Sequence, residues 1–251
     1  MTAPAIVRIV LLVVFLLEIG GEFIHHRELV FFTKPLVLPL LGLYFFLSVA
    51  GFLTNVHRFM LVAFLFSWFG DVFLMLTPET ATDTEVMGIL KNKNYFVLGL
   101  GSFLLAQLLF IVSYTKTKDS PQQSVTVIKW FHYIPFAALW AGMMAQVLPA
   151  LQLDTEKQAA TIPVIVYSAL LLTMAAVALS RYGKTNNSSF WNTFSGACIF
   201  VVSDGLIAIN FLVLTEPTYY AGFTIFITYA VAEYLIAQGM LKHFLNSEIK
   251  S

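Results

Sequence analysis

Long apolar runs dominate this chain and leave few folds open to it. Eight stretches of 19 to 23 residues carry little charge, and each can cross about 30 Å of hydrocarbon at about 1.5 Å per residue. The predicted spans are residues 5–23, 35–53, 58–77, 95–114, 129–148, 161–180, 192–214 and 219–241. Their apolar residues are continuous rather than alternating, which excludes a β-barrel. The sequence therefore predicts a polytopic transmembrane helical bundle, an all-α fold, with residues 1–251 in a single transmembrane domain.

Composition excludes some partners. The chain has 14 Lys and Arg against 14 Asp and Glu, so no basic surface indicates a nucleic-acid partner. The single cysteine, Cys198, lies inside an apolar run and cannot form an intrachain disulfide.

The first apolar run contains Glu18 and is followed by Glu22, and no small-residue cleavage site comes after it. We therefore expect it to be retained as a membrane span.

The distribution of Lys and Arg predicts the orientation, because cytoplasmic loops hold an excess of these residues. Nine fall on the side of both termini and five on the other side. The nine are Arg8, Arg58, Lys116, Lys118, Lys129, Arg181, Lys184, Lys242 and Lys250, and the five are Arg27, Lys34, Lys91, Lys93 and Lys157. We expect cytoplasmic termini and, from the short loops, a multi-pass protein of a bacterial inner membrane.

Two aspartates interrupt apolar runs. Asp71 lies in the run 64–76 and Asp204 in the run 199–209. An ionisable side chain in hydrocarbon costs several kcal/mol, so it indicates a functional site by default. Each aspartate lies 12 to 13 residues into its predicted span, or about 18 to 20 Å. Because both spans run in the same direction, the aspartates should lie at a similar depth in the outer half of the membrane.

Other polar side chains accompany them. Ser67 lies one turn before Asp71 and can hydrogen-bond it, while Ser203 adjoins Asp204. Glu233 is a third intramembrane acid, deeper than the aspartates, for which helix pairing and catalysis are both open. The further polar positions are Lys34 at the predicted start of span two, Asn210 on span seven, and Tyr229 and Gln238 on span eight. Each alone is compatible with a simple hydrogen bond between helices.

Acids and histidines near the end of the first span could suggest a metal. Glu22 and His25 form a Glu-x-x-His pattern, and Glu18 and His26 lie near them on one face. A carboxylate-bridged metal site needs a second copy of that pattern on another helix. The sequence has none, so we predict neither a metal nor an organic cofactor.

The two halves of the chain show a weak internal similarity. Asp204 follows Asp71 by 133 residues, and Ala237-Gln238 follows Ala106-Gln107 by 131 residues. The spacing predicts four spans repeated in parallel, with the halves related by an axis along the membrane normal. Chance similarity between apolar spans is the alternative.

Several motifs together resemble the YhhN-like lysoplasmalogenase family of integral membrane proteins. They are Lys34-Pro35, Phe66-Ser67-x-x-Gly70-Asp71-x-x-Leu74-Met75, Gly99-x-x-Ser102-Phe103, Gly196-Ala197-x-x-Phe200-x-x-Ser203-Asp204-x-x-x-Ala208, and Tyr229 followed by Ala237-Gln238. The resemblance extends from about residue 33 to residue 238. The family often has Ala-His where this chain has Ala106-Gln107, so no titratable group is expected there.

The resemblance implies an eight-span hydrolase that cleaves the vinyl ether bond of lysoplasmalogens to a fatty aldehyde and glycerophosphoethanolamine or glycerophosphocholine. It also implies Asp71 and Asp204 as the catalytic pair. One aspartate would protonate the vinyl ether and the other would stabilise the cation and orient water, as paired carboxylates do in glycoside hydrolysis. The roles stay open at this point. The partners are then a lysophospholipid substrate and membrane lipids, and the predicted substrate-binding residues are Lys34, Ser67, Ser203, Asn210, Tyr229, Glu233 and Gln238.

Three other functions are alternatives to hydrolysis. A proton-coupled membrane transporter also needs intramembrane carboxylates and an internal repeat. An intramembrane aspartyl protease uses two membrane aspartates, but Trp68 occupies the position where its Gly-x-Gly-Asp pattern needs glycine. A structural membrane scaffold would tolerate loss of both aspartates.

Overall fold

The computed structural model describes residues 2–78, 85–86, 89–92, 94–117, 128–155, 157–214 and 218–248. Within these residues it contains eight helices that are long and apolar enough to cross a membrane. They are α1 Ala3–Phe23, α2 Arg27–Val49, α3 Asn55–Met75, α4 Asn94–Lys116, α5 Ile134–Leu153, α6 Thr161–Leu179, α7 Asn187–Ala208 and α8 Ala221–Glu248. The predicted all-α bundle of eight spans is confirmed, while the four-plus-four repeat stays a prediction.

Short elements extend or connect the helices. Single 3-10 turns lie at Ala50–Phe52, Trp130–Tyr133 and Gln158–Ala160, and α7 continues as a π-helical turn at Ile209–Val213. Between α3 and α4 lies a two-stranded antiparallel ladder that the sequence analysis did not predict, formed by β1 Glu85–Val86 and β2 Ile89–Leu90.

The predicted start of span two at Pro35 is wrong. Helix α2 begins eight residues earlier, at Arg27, and contains both Pro35 and Pro39. A proline lacks the N–H that would bond to the carbonyl four residues before it, so Pro39 leaves the carbonyl of Pro35 without its helical donor. The indole Nε1 of Trp68 on α3 donates to that carbonyl at 2.8 Å. Such compensation by a neighbouring helix allows proline inside a membrane helix.

The periphery of the bundle is apolar, as expected for helices in lipid. Helix α1 buries three of its 21 residues and α5 three of its 20. Mid-helix side chains such as Leu12, Leu16 and Val166 are at least half exposed on the outer surface. Most of the buried core lies among α2, α3, α4, α6, α7 and α8. Lipid tails would cover α1 and α5.

Two of the cations counted for orientation lie inside the bundle. Arg181 is fully buried and donates to Thr193 at 2.6 Å and Ser189 at 3.0 Å, while Lys34 lies within α2. When Arg181 and Lys34 are left out, the count of Lys and Arg on the two sides changes from nine against five to eight against four. The predicted orientation is therefore unchanged. Lys93, Lys118 and Lys250 lie outside the described residues, and cytoplasmic termini stay a prediction.

Helices α7 and α8 approach each other closely at glycines. A Cβ at Gly196 would lie 2.8 Å from the carbonyl oxygen of Ala232 and 2.9 Å from the backbone nitrogen of Ile236. Small residues allow such backbone contact between membrane helices. This contact fixes α7, which carries Asp204, against α8, which carries Tyr229 and the cavity wall described below.

We expect Gly196→Ala to destabilise the protein by about 1–3 kcal/mol, because backbone must move to admit the methyl group. For a chain of this size the midpoint of thermal unfolding should fall by about 2–10 °C. Gly101→Ala on α4 is the matched control, since no heavy atom lies within 4 Å of its added Cβ. Circular dichroism in detergent measures both. Equal midpoints for the two variants would contradict the close contact at Gly196.

Candidate active site

A cavity of about 310 Å³ lies among α2, α3, α7 and α8 and reaches the loops at one end of the bundle. We call it the main cavity. Its acidic and basic lining residues are Glu22, His25, Arg27, Lys34, Asp71, Lys91 and Asp204. Its apolar wall includes Leu74, Phe103, Ile207, Phe211 and Phe226. The loop residues at its mouth come from the α1–α2, α3–α4 and α7–α8 connections, which all lie on the side of the bundle opposite the termini.

The structure places both predicted aspartates on the wall of the main cavity. Asp71 on α3 is 7% exposed and Asp204 on α7 is 8% exposed, and the charge of Asp204 acts on Asp71. Gly70 allows this arrangement on α3, because the ring of Phe103 occupies the space that a Cβ would need. Two carboxyl groups from distant parts of the chain therefore line one cavity.

Tyr167 on α6 is a site residue that the sequence analysis missed. Its hydroxyl donates a hydrogen bond to Oδ2 of Asp204. The amide of Gln107 on α4 lies beside the same hydroxyl. A polar hydroxyl in the middle of the apolar run 161–180 was the available signal, but nothing in the sequence pairs α6 with Asp204.

Tyr229 on α8 is the tyrosine next to the other aspartate, Asp71. Its hydroxyl lies beside Asp71, without completing a hydrogen bond of ordinary geometry. The ring is fixed by edge-to-face contacts with Phe103 and Phe200, at centroid distances of 5.9 and 5.5 Å. Each aspartate thus has a buried tyrosine beside it, contributed by another helix.

Lys34 contributes a positive charge to the wall of the main cavity. Its Nζ lies 3.4 Å from Oε1 of Glu22, and it also interacts with Glu18 and Asp71. Thr33 Oγ1 donates to the Glu18 carboxylate, which fixes α1 against α2. Lys34 does not lie at the start of the helix, as the predicted span had it, because α2 begins at Arg27.

The mouth of the main cavity combines cations and aromatic rings. Arg27 and Lys91 line it, together with His25 and Tyr219, whose ring centroids are 4.2 Å apart. His25 has a φ of 54°, the left-handed conformation, at the turn between α1 and α2. Among the described residues no group of three His, Cys, Asp or Glu side chains is arranged to hold a metal ion. Arg27 and Lys91 are the residue types that bind a phosphate.

A small apolar extension of about 40 Å³ adjoins the main cavity between α4, α5, α6 and α7. Its wall includes Phe96, Met143, Met144, Val147 and Leu171. Asp204, Leu74, Phe103 and Ile207 line both spaces. Asp204 therefore lies where a polar cavity meets an apolar one.

Three of the predicted substrate-binding residues connect helices instead. Ser203 Oγ donates to the carbonyl of Ile225 at 3.0 Å, and Gln238 Nε2 donates to the hydroxyl of Tyr44 at 2.8 Å. Asn210 accepts from both the backbone and the side chain of Thr218 at 2.9 Å, and so closes the α7–α8 connection. None of the three is among the described residues that line the main cavity.

Ser67 and Glu233 also lie away from the main cavity. Both are fully buried, and the predicted hydrogen bond from Ser67 to Asp71 does not form in this structure. The Ser67 hydroxyl lies instead between Tyr229 and Glu233. The structure thus brings Asp71, Asp204, Lys34 and Tyr229 together and leaves the other five predicted residues outside the cavity wall.

Comparison with known proteins identifies one family. The model of the YhhN family matches residues 29–240, which is most of the chain. The matched range includes Asp71, Asp204, Lys34 and Tyr229. Searches of curated proteins and of solved structures found no match.

Proposed function

Because the chain belongs to the YhhN family, which is associated with lysoplasmalogenase activity, we propose that it hydrolyses the vinyl ether bond of lysoplasmalogens within the membrane. The observation that carries this proposal is the pair of buried aspartates on one cavity wall, with Asp204 at the boundary between a polar and an apolar space. A lysoplasmalogen has its vinyl ether at the matching boundary, between a phosphate-bearing head group and a hydrocarbon tail.

The order of groups along such a lipid assigns the substrate an orientation. The tail would run toward the apolar extension beside Phe96 and Leu171, and the phosphate would lie toward Arg27, Lys34 and Lys91. The vinyl carbon farther from oxygen is then nearest the tail and Asp204. The carbon bonded to oxygen lies toward the head group and Asp71.

This orientation gives each aspartate a role. Asp204 donates its proton to the carbon farther from oxygen, and the double bond supplies the electron pair for the new C–H bond. The product is an oxocarbenium ion, which the negative charge of Asp71 stabilises. Asp71 also accepts a proton from the attacking water, whose oxygen bonds to the cationic carbon and forms a hemiacetal. The hydrogen bond from Tyr167 holds one Asp204 oxygen, leaving the other to face the substrate.

The hemiacetal then opens to products. Its C–O bond to glycerol breaks, the glycerol oxygen takes the proton held by Asp71, and the hydroxyl gives its proton to Asp204, so both aspartates return to their starting state. The products are a fatty aldehyde and a glycerophospho-base, and the atoms balance with one water consumed. Every step uses acid and base groups of the chain.

Isotopes from water test this reaction directly. In heavy water the aldehyde should carry one deuterium on the carbon next to the carbonyl, and in ¹⁸O-water the label should be in the aldehyde rather than in glycerol. Mass spectrometry of the products from purified protein and lysoplasmalogen measures both. The saturated alkyl ether analogue is the control, because it has no double bond to protonate. Aldehyde without deuterium, or equal cleavage of the analogue, would reject the mechanism.

A proton-coupled transporter is the second candidate. It is favoured by a groove of about 740 Å³ on the terminal side of the bundle, lined by Arg8, Tyr44 and Glu233, in addition to the main cavity on the other side. Flux of a lysolipid into liposomes that depends on a pH gradient, with unchanged lipid recovered, would favour transport over hydrolysis.

A further inference from the structure

The apolar extension beside Asp204 is too small for the tail that the proposed orientation directs toward it. Its volume is about 40 Å³. An apolar cavity of about 150 Å³ holds one benzene molecule, so the extension holds only the first carbons of a fatty chain. A tail that runs in this direction therefore requires part of the wall to move. The part that moves would decide which tails the site accepts.

Helix α5 lies between the extension and the surrounding lipid. Its three buried residues are Met144, Val147 and Leu151, which lie on one face of the helix. Met144 and Val147 line the extension together with Met143. Leu139 on the same helix is 48% exposed on the outer surface of the bundle. A tail that passed the side chains of α5 would therefore reach hydrocarbon at once.

The two methionines are the part of the wall that moves most easily. A methionine side chain is unbranched and has three rotatable bonds, so it adapts to the shape of its surroundings. The bond from Ser168 Oγ to Met144 Sδ is long, at 3.8 Å, and a thioether is a weak acceptor. The helix itself is held in place one turn earlier, where Trp140 Nε1 donates to Ser168 Oγ at 3.1 Å. Movement of the side chains is therefore easier than movement of α5.

We propose that Met143 and Met144 form a tail subsite, in which the two side chains swing aside and let a long unbranched hydrocarbon chain pass beside α5 into the lipid. Only the first carbons of the tail would then leave the hydrocarbon of the membrane. The two methionines would determine tail-length specificity and take no part in the chemistry. This inference rests on the proposed hydrolase function and names the tail that its site accepts.

Met144→Ile tests the inference, because isoleucine has a similar volume but is branched at Cβ and has one strongly preferred rotamer in a helix. The measured quantity is kcat/KM for a lysoplasmalogen with a hexadecenyl chain, divided by kcat/KM for one with a butenyl chain that ends inside the extension. This ratio should fall at least about tenfold in the variant. Met144→Ala removes the obstacle and should keep the ratio at or above the wild-type value.

Met174→Ile is the matched control. Met174 lies on α6, is fully buried, and lines neither the main cavity nor the extension. The same substitution there should leave the ratio within about twofold of the wild type. Because both substrates are measured on one preparation, a smaller folded fraction does not change the ratio. Equal ratios in Met144→Ile and the wild type would overturn the proposal.

Photochemical labelling separates this inference from the hydrolase proposal. The probe is a saturated hexadecyl ether lysophosphocholine with a diazirine a few carbons from the ether oxygen, which the protein cannot cleave. Leu171 lines the extension on α6 and is 1% exposed, so a probe in the surrounding lipid does not reach it. Mass spectrometry of peptides should find the label at Leu171 in the wild type and at least about tenfold less of it in Met144→Ile.

The two proposals fail in different ways. Label at Leu171 in a wild-type protein that releases no aldehyde would reject the hydrolase proposal and support the tail subsite. Aldehyde release without label at Leu171 would reject the tail subsite and leave the hydrolase proposal standing. An excess of the same ether lipid without the diazirine should remove the label from Leu171, and label that persists would count against a subsite.

Discussion

Asp71→Asn and Asp204→Asn should each lower the rate of aldehyde release by about 10³-fold or more. Asparagine keeps the volume of the side chain but neither donates a carboxyl proton nor carries a negative charge. Acid or base catalysis by a positioned side chain contributes about 10²–10⁴-fold, and each aspartate also acts electrostatically on the cation. The measurement is the steady-state rate of aldehyde formation from lysoplasmalogen by purified protein in detergent.

The double variant provides a sharper test than either single one. If the aspartates act as a unit, Asp71→Asn combined with Asp204→Asn should be about as slow as the slower single variant. Asp154→Asn is the control, since Asp154 lies at the end of α5, partly exposed, 3.6 Å from Lys157. All variants should unfold at similar temperatures. Activity within about tenfold of the wild type in either single variant would remove that aspartate from the mechanism.

The elements that could be located well from the sequence are those defined by a continuous stretch of residues. A run of about 20 apolar residues defines a span by its length, and a carboxylate inside such a run is costly wherever the helix packs. Asp71 and Asp204 could therefore be predicted as site residues before any packing was known. That they would line the same cavity could only be expected from their similar depth.

The sequence did not reveal the neighbours of the aspartates, because these depend on packing. Ser203 adjoins Asp204 in sequence, but successive residues on a helix point in different directions, and its hydroxyl bonds to α8 instead. Tyr167 is far from both aspartates in sequence and nevertheless donates to Asp204 across the α6–α7 interface. Which side chains form hydrogen bonds between helices depends on how each helix is rotated about its axis. The sequence of a weakly amphipathic membrane span does not reveal that rotation.

The start of α2 shows a second kind of error. Lys34-Pro35 matched the expectation that a proline lies in the first turn of a helix. In the structure Trp68 compensates for the carbonyl that Pro39 frees, so the helix continues through both prolines. As a result Lys34 lies inside α2 and lines the main cavity beside Glu22.

Lys34→Met should lower kcat/KM for lysoplasmalogen by about 10- to 100-fold. Methionine matches the length of lysine without its charge. A hydrogen bond to a charged group contributes about 1.5–3 kcal/mol, and a tenfold change corresponds to about 1.4 kcal/mol. In the orientation proposed above the substrate phosphate lies toward Arg27, Lys34 and Lys91. The Lys34 ammonium would therefore contact it. Lys34→Arg should keep most of the activity, because it preserves the charge.

A substrate without phosphate separates two roles for Lys34. The ammonium also interacts with Asp71, so its loss could act on the catalytic pair rather than on binding. If Lys34 binds phosphate, Lys34→Met should raise KM for lysoplasmalogen and should change the cleavage of 1-alkenylglycerol by less than about threefold. Lys129→Met is the control, on an exposed lysine at the opposite end of the bundle. Equal losses on both substrates would contradict the phosphate contact and assign the ammonium to Asp71, whose charge it would then balance during formation of the cation.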